Sequence, residues 1–164
     1  MLAVLTRVTK EVFETMVFAP VEALPPCDTL PPASGPGVIG TISFAGSSSG
    51  VVSFAASLES AREIAGGMLG MSPAEVQDEL PDAVGEITNM IAGSFRTQMA
   101  DEAGAWTIST PNVTIGSDLS VRHVGAVART VCPFVFRGHR IFVELVLTDP
   151  TRLPHAERQE ARAC

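Results

Sequence analysis

The stretch from residue 79 to residue 102, ELPDAVGEITNMIAGSFRTQMADE, constrains the fold more than any other part of the sequence. Its large apolar residues recur at spacings of three and four, which places them on one face of a helix: Leu80, Val84, Ile87, Ile91 and Phe95. Pro81 suits the first helical turn, and Gly104 is expected to end the helix. The rest of the chain must therefore supply an apolar surface that buries this face.

The opposite face of this helix is polar. At about 100° per residue, one narrow sector holds Asp82, Glu86, Asn89 and Gly93, and its flanks hold Met90 and Arg96. We call the sector of Asp82, Glu86, Asn89 and Gly93 the polar ridge. Asn lowers helix propensity and Gly costs about 1 kcal/mol relative to Ala, so a solvated helix face usually carries neither. Two interpretations follow: tolerated sequence drift, or a surface that another molecule approaches closely.

Length and charge limit the classes of protein that this chain belongs to. From its 164 residues we expect one domain over residues 1–149 and a charged C-terminal tail over 150–164 that is frayed or disordered. The formal net charge is −7 and no basic run is present, which argues against a nucleic-acid partner. Without a signal peptide or an apolar stretch of roughly 20 residues, no membrane span is predicted and the expected location is the cytoplasm.

The cysteines and histidines, which often act as metal ligands or catalytic groups, are scattered along the sequence. The cysteines lack a CxxC pair and the histidines lack ligand spacing: Cys27, Cys132, Cys164, His123, His139 and His155. The sequence therefore predicts neither a disulfide framework nor a metal site. GxGxxG after a strand, the P-loop, GxSxG and HExxH are also absent, so the common self-contained enzyme motifs give no assignment.

The first half of the chain alternates helical and strand patterns. Apolar spacing (Val4, Val8, Val12 or Phe13, Met16) predicts a helix over residues 3–19, and the Pro-rich segment 20–36 is expected to be an irregular surface loop. Alternation around a Gly46–Gly50 turn predicts a hairpin over 37–57. Ser60 and Glu63 form a capping-box pattern that begins a helix ended by Gly70. Ser72, Pro73 and Glu75 then predict the start of a short helix.

The second half changes to a strand pattern. Strands are predicted around residues 106–108 and 113–115, with Pro111 marking a bend or an edge position. A second hairpin is predicted over 124–149, with its turn at Arg137, Gly138 and His139. The fold class is therefore α+β, an antiparallel sheet built from two hairpins with the helices packed against one face.

One spaced pattern resembles the signature of a known family. Asp82-x3-Glu86-x2-Asn89, followed after 21 residues by Pro111, resembles the signature of the CheC, CheX and FliY phosphatases of bacterial chemotaxis. The segments DAVGEITNMIAG, VFETM, SLESAREIAGGMLG and TPNVTIG are similar as well, and the likeness covers residues 5–148. CheC-like proteins carry the signature twice, whereas the first helix here has no Asn three residues beyond Glu11 or Glu14. The chain is therefore most similar to the CheX branch.

The resemblance implies an enzyme that accelerates hydrolysis of the phospho-aspartate of a CheY-like response-regulator receiver. It assigns Asn89 to the attacking water and Glu86 to a Lys of the receiver, and the receiver itself supplies Mg²⁺. No cofactor of this chain is implied. A homodimer paired through the sheet is expected from the resemblance alone.

The remaining residues of the pattern are expected to bind the partner or to support that surface: Asp82, Met90, Gly93, Arg96 and Pro111. An alternative function is a receiver-binding or scaffold module with the same fold and no catalysis. The sequence leaves open which receiver is bound, and whether the pathway is chemotaxis or another two-component system.

Overall fold

The computed structural model describes residues 1–31, 35–46, 48–103 and 106–148, with the backbone alone for 101–103. Two sequence predictions, the helix end at Gly104 and the C-terminal tail over 150–164, lie outside the described residues. No helix of the described residues combines the length and the apolar character needed to cross a membrane.

The strands of the described residues form one seven-stranded sheet in which every pairing is antiparallel. They are β1 (Glu22–Ala23), β2 (Pro36–Ala45), β3 (Ser49–Ser57), β4 (Thr107–Ile108), β5 (Asn112–Ser117), β6 (Ala126–Phe136) and β7 (His139–Thr148). The order is β1-β6-β7-β3-β2-β4, and β5 also pairs with β2. The predicted hairpins are β2–β3 and β6–β7, joined through β3 and β7. The α+β prediction is confirmed.

The helices pack against one face of this sheet. They are α1 (Leu2–Val12), which continues as a π-helical turn over Phe13–Val17, α2 (Leu58–Leu69) and α3 (Leu80–Ala103). The first helix lies where the sequence predicts it, but its buried face is shifted. Val17 is buried whereas Val4 and Met16 are only partly buried. The shift begins at Leu5, which is fully buried. In the wider π turn it is Val17 that packs against α2, since a Cβ atom on Gly67 would lie 3.1 Å from Cγ1 of Val17.

The predicted apolar face of α3 is buried along its whole length, since all five of its residues are buried. Residues on the same side of the helix approach β2 closely at Gly40. A Cβ atom at Gly40 would collide with Oγ1 of Thr88 and lie 3.3 Å from Cγ1 of Val84. Thr88 is itself buried and donates its hydroxyl to the Val84 carbonyl at 2.7 Å. Gly40 therefore sets how near the helix lies to the sheet.

The connector over residues 20–36 was predicted to be an irregular loop, and this prediction is wrong in part. Glu22–Ala23 pairs with β6, and the N–H of Leu24 donates to the Pro133 carbonyl at 2.9 Å. Cys27 exchanges two backbone hydrogen bonds with Val131. The edge of β6 has backbone groups that need partners, and the non-proline residues of the connector satisfy them.

The N-terminus of α2 differs from the prediction by three residues. Ser57, rather than Ser60, is the N-cap, because the Ser57 hydroxyl accepts a hydrogen bond from the N–H of Ser60 at 3.1 Å. Ser60 is buried inside the first turn. The predicted end of the helix is confirmed, and Gly70 adopts the left-handed conformation at φ 67°.

The short helix predicted after Ser72 is a turn in the structure. Ser72 and Glu75 are nevertheless in contact, since the N–H and the hydroxyl of Ser72 both donate to the Glu75 carboxylate, at 3.0 and 2.7 Å. These hydrogen bonds lower the pKa of Glu75. The next residue, Val76, is fully buried, and its burial draws the segment toward the core before a helical turn is completed.

The contact between Gly40 and Thr88 gives a test of the packing. Gly40→Ala should lower the free energy of unfolding by about 1–3 kcal/mol, because the new methyl group overpacks the interface between β2 and α3. Thr88→Ala removes the colliding hydroxyl, so the double variant should lose less stability than the sum of the two single losses. Urea unfolding of the four proteins measures the difference. Strictly additive losses would contradict the contact.

Candidate functional site

The polar ridge lies on α3, on the side away from the sheet. Asp82 and Glu86 are exposed, and Asn89 and Gly93 are half-buried. Within the described part of the chain, the side chains of Glu86 and Asn89 have no hydrogen-bond or ion-pair partner. The acid and the amide are three residues apart and project from the same side of the helix, so both are free to contact another molecule.

Asn89 lines a groove that runs along α3. The groove has a volume of about 460 Å³ and reaches Ile108 of β4. Its lining includes four of the residues singled out in the sequence: Asn89, Met90, Gly93 and Arg96. A Cβ atom built on Gly93 would meet nothing within 4 Å. The missing side chain at Gly93 therefore leaves the helix backbone accessible beside Asn89.

Pro111 lies next to the polar ridge because it packs against Gly85, a glycine of α3 that the sequence analysis did not single out. A Cβ atom on Gly85 would lie 3.4 Å from Cγ of Pro111 and 3.7 Å from Cγ2 of Val113. Gly85 is buried, and the bend between β4 and β5 packs against the helix one residue before Glu86. The available signal was a helix-interior Gly adjacent to Glu86, which costs stability without an evident reason in the sequence.

The charges around the ridge are mostly negative. Asp82 and Glu86 are four residues apart on one face, and Arg96 lines the groove beyond Asn89. Among the described residues, no three His, Cys, Asp or Glu side chains are grouped as metal ligands would be. The ridge therefore offers two carboxylates that can pair with cations, and one neutral amide that can both donate and accept hydrogen bonds.

Comparison with protein families assigns the chain to a family. The model of the family described as chemotaxis phosphatase CheX matches residues 38–135, more than half of the chain and a range that includes the whole ridge and Pro111. The chain belongs to the CheX family. No curated protein matches the sequence.

Solved structures of CheX proteins share the fold. The chain is similar to the chemotaxis protein CheX from Vibrio vulnificus, with 26% identity, coverage of 87% of this chain and 95% of that chain, and a TM-score of 0.78. It is also similar to a CheX from Desulfovibrio desulfuricans, with 25% identity, 88% and 97% coverage, and a TM-score of 0.78. A CheX from Borrelia burgdorferi, solved as a CheX-CheY-BeF3-Mg²⁺ complex, matches in fold at 21% identity, 90% and 97% coverage, and a TM-score of 0.75.

The open surface at Gly93 gives a second test. Gly93→Ala should raise the free energy of unfolding by about 0.5–1 kcal/mol, because Ala favours the helix and its methyl group meets no neighbour. Thermal unfolding followed by circular dichroism measures the change. A loss of stability would contradict the open ridge, since it would show that something in the folded protein already packs against Gly93.

Proposed function

We propose that this chain accelerates hydrolysis of the phospho-aspartate of a CheY-like response-regulator receiver. The observation that carries the proposal is the exposed acid and the half-buried amide, Glu86 and Asn89, one helical turn apart beside an open groove in a CheX-family chain. The partner class is supported by the Borrelia burgdorferi relative, which was solved with CheY. The receiver would bring the phosphoryl group, a Mg²⁺ and a Lys, so this chain needs no cofactor of its own.

The chemistry assigned to Asn89 is the positioning of a water molecule. The water oxygen attacks the phosphorus, the bond from phosphorus to the aspartate oxygen breaks, and the carboxylate leaves while the water proton passes to the phosphate. The amide oxygen of Asn89 accepts a hydrogen bond from the water and its NH₂ group donates one, without adding negative charge near the phosphoryl oxygens. A hundredfold acceleration requires about 2.7 kcal/mol, which positioning of a reactant can supply.

The role assigned to Glu86 is to fix the orientation of the two proteins. Its free carboxylate would pair with the receiver Lys, and this charged contact would bring Asn89 to the phosphoryl group. Arg96 and Met90 line the groove, and Gly93 leaves room for the receiver backbone. Asp82 adds negative charge one turn before Glu86, and Pro111 holds the neighbouring bend against Gly85.

We further propose that the protein works in the cytoplasm, where two-component receivers are found, and that it pairs with itself through the sheet. Strand β5 supports the second proposal, because it bonds to β2 along one side and has an exposed Ile115. Both statements extend the resemblance to the family, and both stay predictions.

Replacement of Asn89 tests the catalytic role. Asn89→Ala should remove the acceleration, about a hundredfold or more, while receiver binding changes little, because the amide positions the water rather than the partner. Asn89→Asp should also be inactive, because a carboxylate repels the phosphoryl oxygens. The measurement is the decay of a phosphorylated receiver with the variant in excess.

A matched variant separates this effect from general damage. Glu59 is exposed on α2, away from the ridge, and Glu59→Ala should keep full activity. Unchanged turnover in Asn89→Ala would refute the catalytic assignment. Binding without acceleration in the unmodified protein would instead establish the non-catalytic receiver-binding module.

Replacement of Glu86 tests docking. Glu86→Ala should weaken binding of the receiver by about tenfold or more, because the receiver Lys loses its carboxylate partner, whereas turnover at saturating receiver should fall less. Glu86→Gln should show the same loss, since the charge is what matters. Titration of the variants with a phosphorylated receiver measures the affinity. Equal affinity for Glu86→Gln and the unmodified protein would exclude the charged contact.

A further inference from the structure

The face of the sheet away from the helices contains a cavity that the proposed phosphatase does not use. Its floor is the open end of the β2–β3 hairpin, away from the turn, where Gly37 pairs with Ser57 and Ile39 pairs with Ala55. Strand β7 adds Phe142, the partner of Ala55 on the other side. Three of these outward-facing residues are small, so the sheet surface is depressed between the larger Ile39 and Phe142.

Two segments wall this floor. One segment is the connector, with Leu30 and Pro31, and the other is the stretch before β6, with Leu119. The second wall is tied to the start of β2, because the N–H of Gly35 donates to the Asp118 carboxylate and the N–H of Asp118 donates to the Gly35 carbonyl, both at 3.0 Å. The cavity is partly open to solvent and has a volume of about 290 Å³, near the lower end of the range for small-molecule sites.

Of the described residues that line the cavity, one is charged, and its charge is positive. Arg140 is exposed on β7 at the cavity, and within the described part of the chain its guanidinium has no hydrogen-bond or ion-pair partner. Among the described residues no carboxylate lines the cavity, although the chain has 18 Asp and Glu against 11 Lys and Arg. The nearby Asp118 carboxylate already accepts the hydrogen bond from Gly35. A free planar donor beside apolar walls suits a carboxylate with an apolar body.

We propose that this cavity binds a small amphipathic carboxylate, of the size and class of a medium-chain fatty acid. The aliphatic chain would lie on Ala55, Ile39 and Phe142, and the carboxylate would accept hydrogen bonds from Arg140. The site is on the opposite side of the sheet from α3, so it is separate from the polar ridge. Its failure would leave the phosphatase proposal unaffected.

Calorimetric titration of the full chain with octanoate tests the proposal. Octanoate should bind at a single site, and 1-octanol, which has the same chain without the charge, should bind at least about tenfold more weakly. Arg140→Gln should weaken octanoate binding by about tenfold or more. Ala55→Leu should abolish it by filling the floor of the cavity, and Arg140→Gln keeps the test valid if Ala55→Leu does not fold.

Arg122→Gln serves as the matched control, because Arg122 is exposed on the neighbouring segment and does not line the cavity. This variant should bind octanoate like the unmodified protein. Absence of octanoate binding to the unmodified protein, or equal binding by Arg140→Gln, would overturn the proposal. A dimer in light scattering that dissociates in Arg140→Gln would show instead that a second copy of the chain covers this face.

Discussion

The close contact between α3 and β2 at Gly40 fixes the direction in which the polar ridge points. Thr88 and Val84 pack against Gly40 of β2, which has no side chain. This side of the helix therefore faces the sheet. The opposite side, with Glu86 and Asn89, must then face outward. A larger residue at position 40 would separate the helix from the sheet and would change the orientation of every residue on the ridge.

The periodic parts of the sequence were sufficient to predict the framework. The α3 face, with Leu80 through Phe95 at helical spacing, is buried as expected, because a long amphipathic pattern has one low-energy arrangement against a sheet. The second hairpin turn was predicted at Arg137, Gly138 and His139. The turn itself consists of Arg137 and Gly138, at φ 47° and 86°, whereas His139 begins β7 and pairs with Phe136. The ridge followed from the same periodicity, and the resemblance to the CheX family gave its residues a chemical meaning.

The errors arose where long-range contacts decide local structure. The sequence predicts Ser60 as the N-cap of α2. In the structure Ser60 is buried in the first turn of the helix, and Ser57 is the N-cap. The strand at Glu22–Ala23 forms only because β6 has an unpaired edge, which is far away in the sequence. The contact between Gly85 and Pro111 joins α3 to the β4–β5 bend in the same way, and a glycine inside the helix signals a close neighbour without saying which residue it is.

In the proposed function, the polar ridge is the surface that meets the receiver. The most direct measurement is nuclear magnetic resonance of the isotope-labelled chain, titrated with a receiver activated by beryllium fluoride and Mg²⁺. We expect the largest shifts along α3 from Asp82 to Arg96, including the side-chain amide of Asn89, and near Pro111. Shifts confined to the outer face of the sheet or to α2, with the Asn89 amide unchanged, would contradict it.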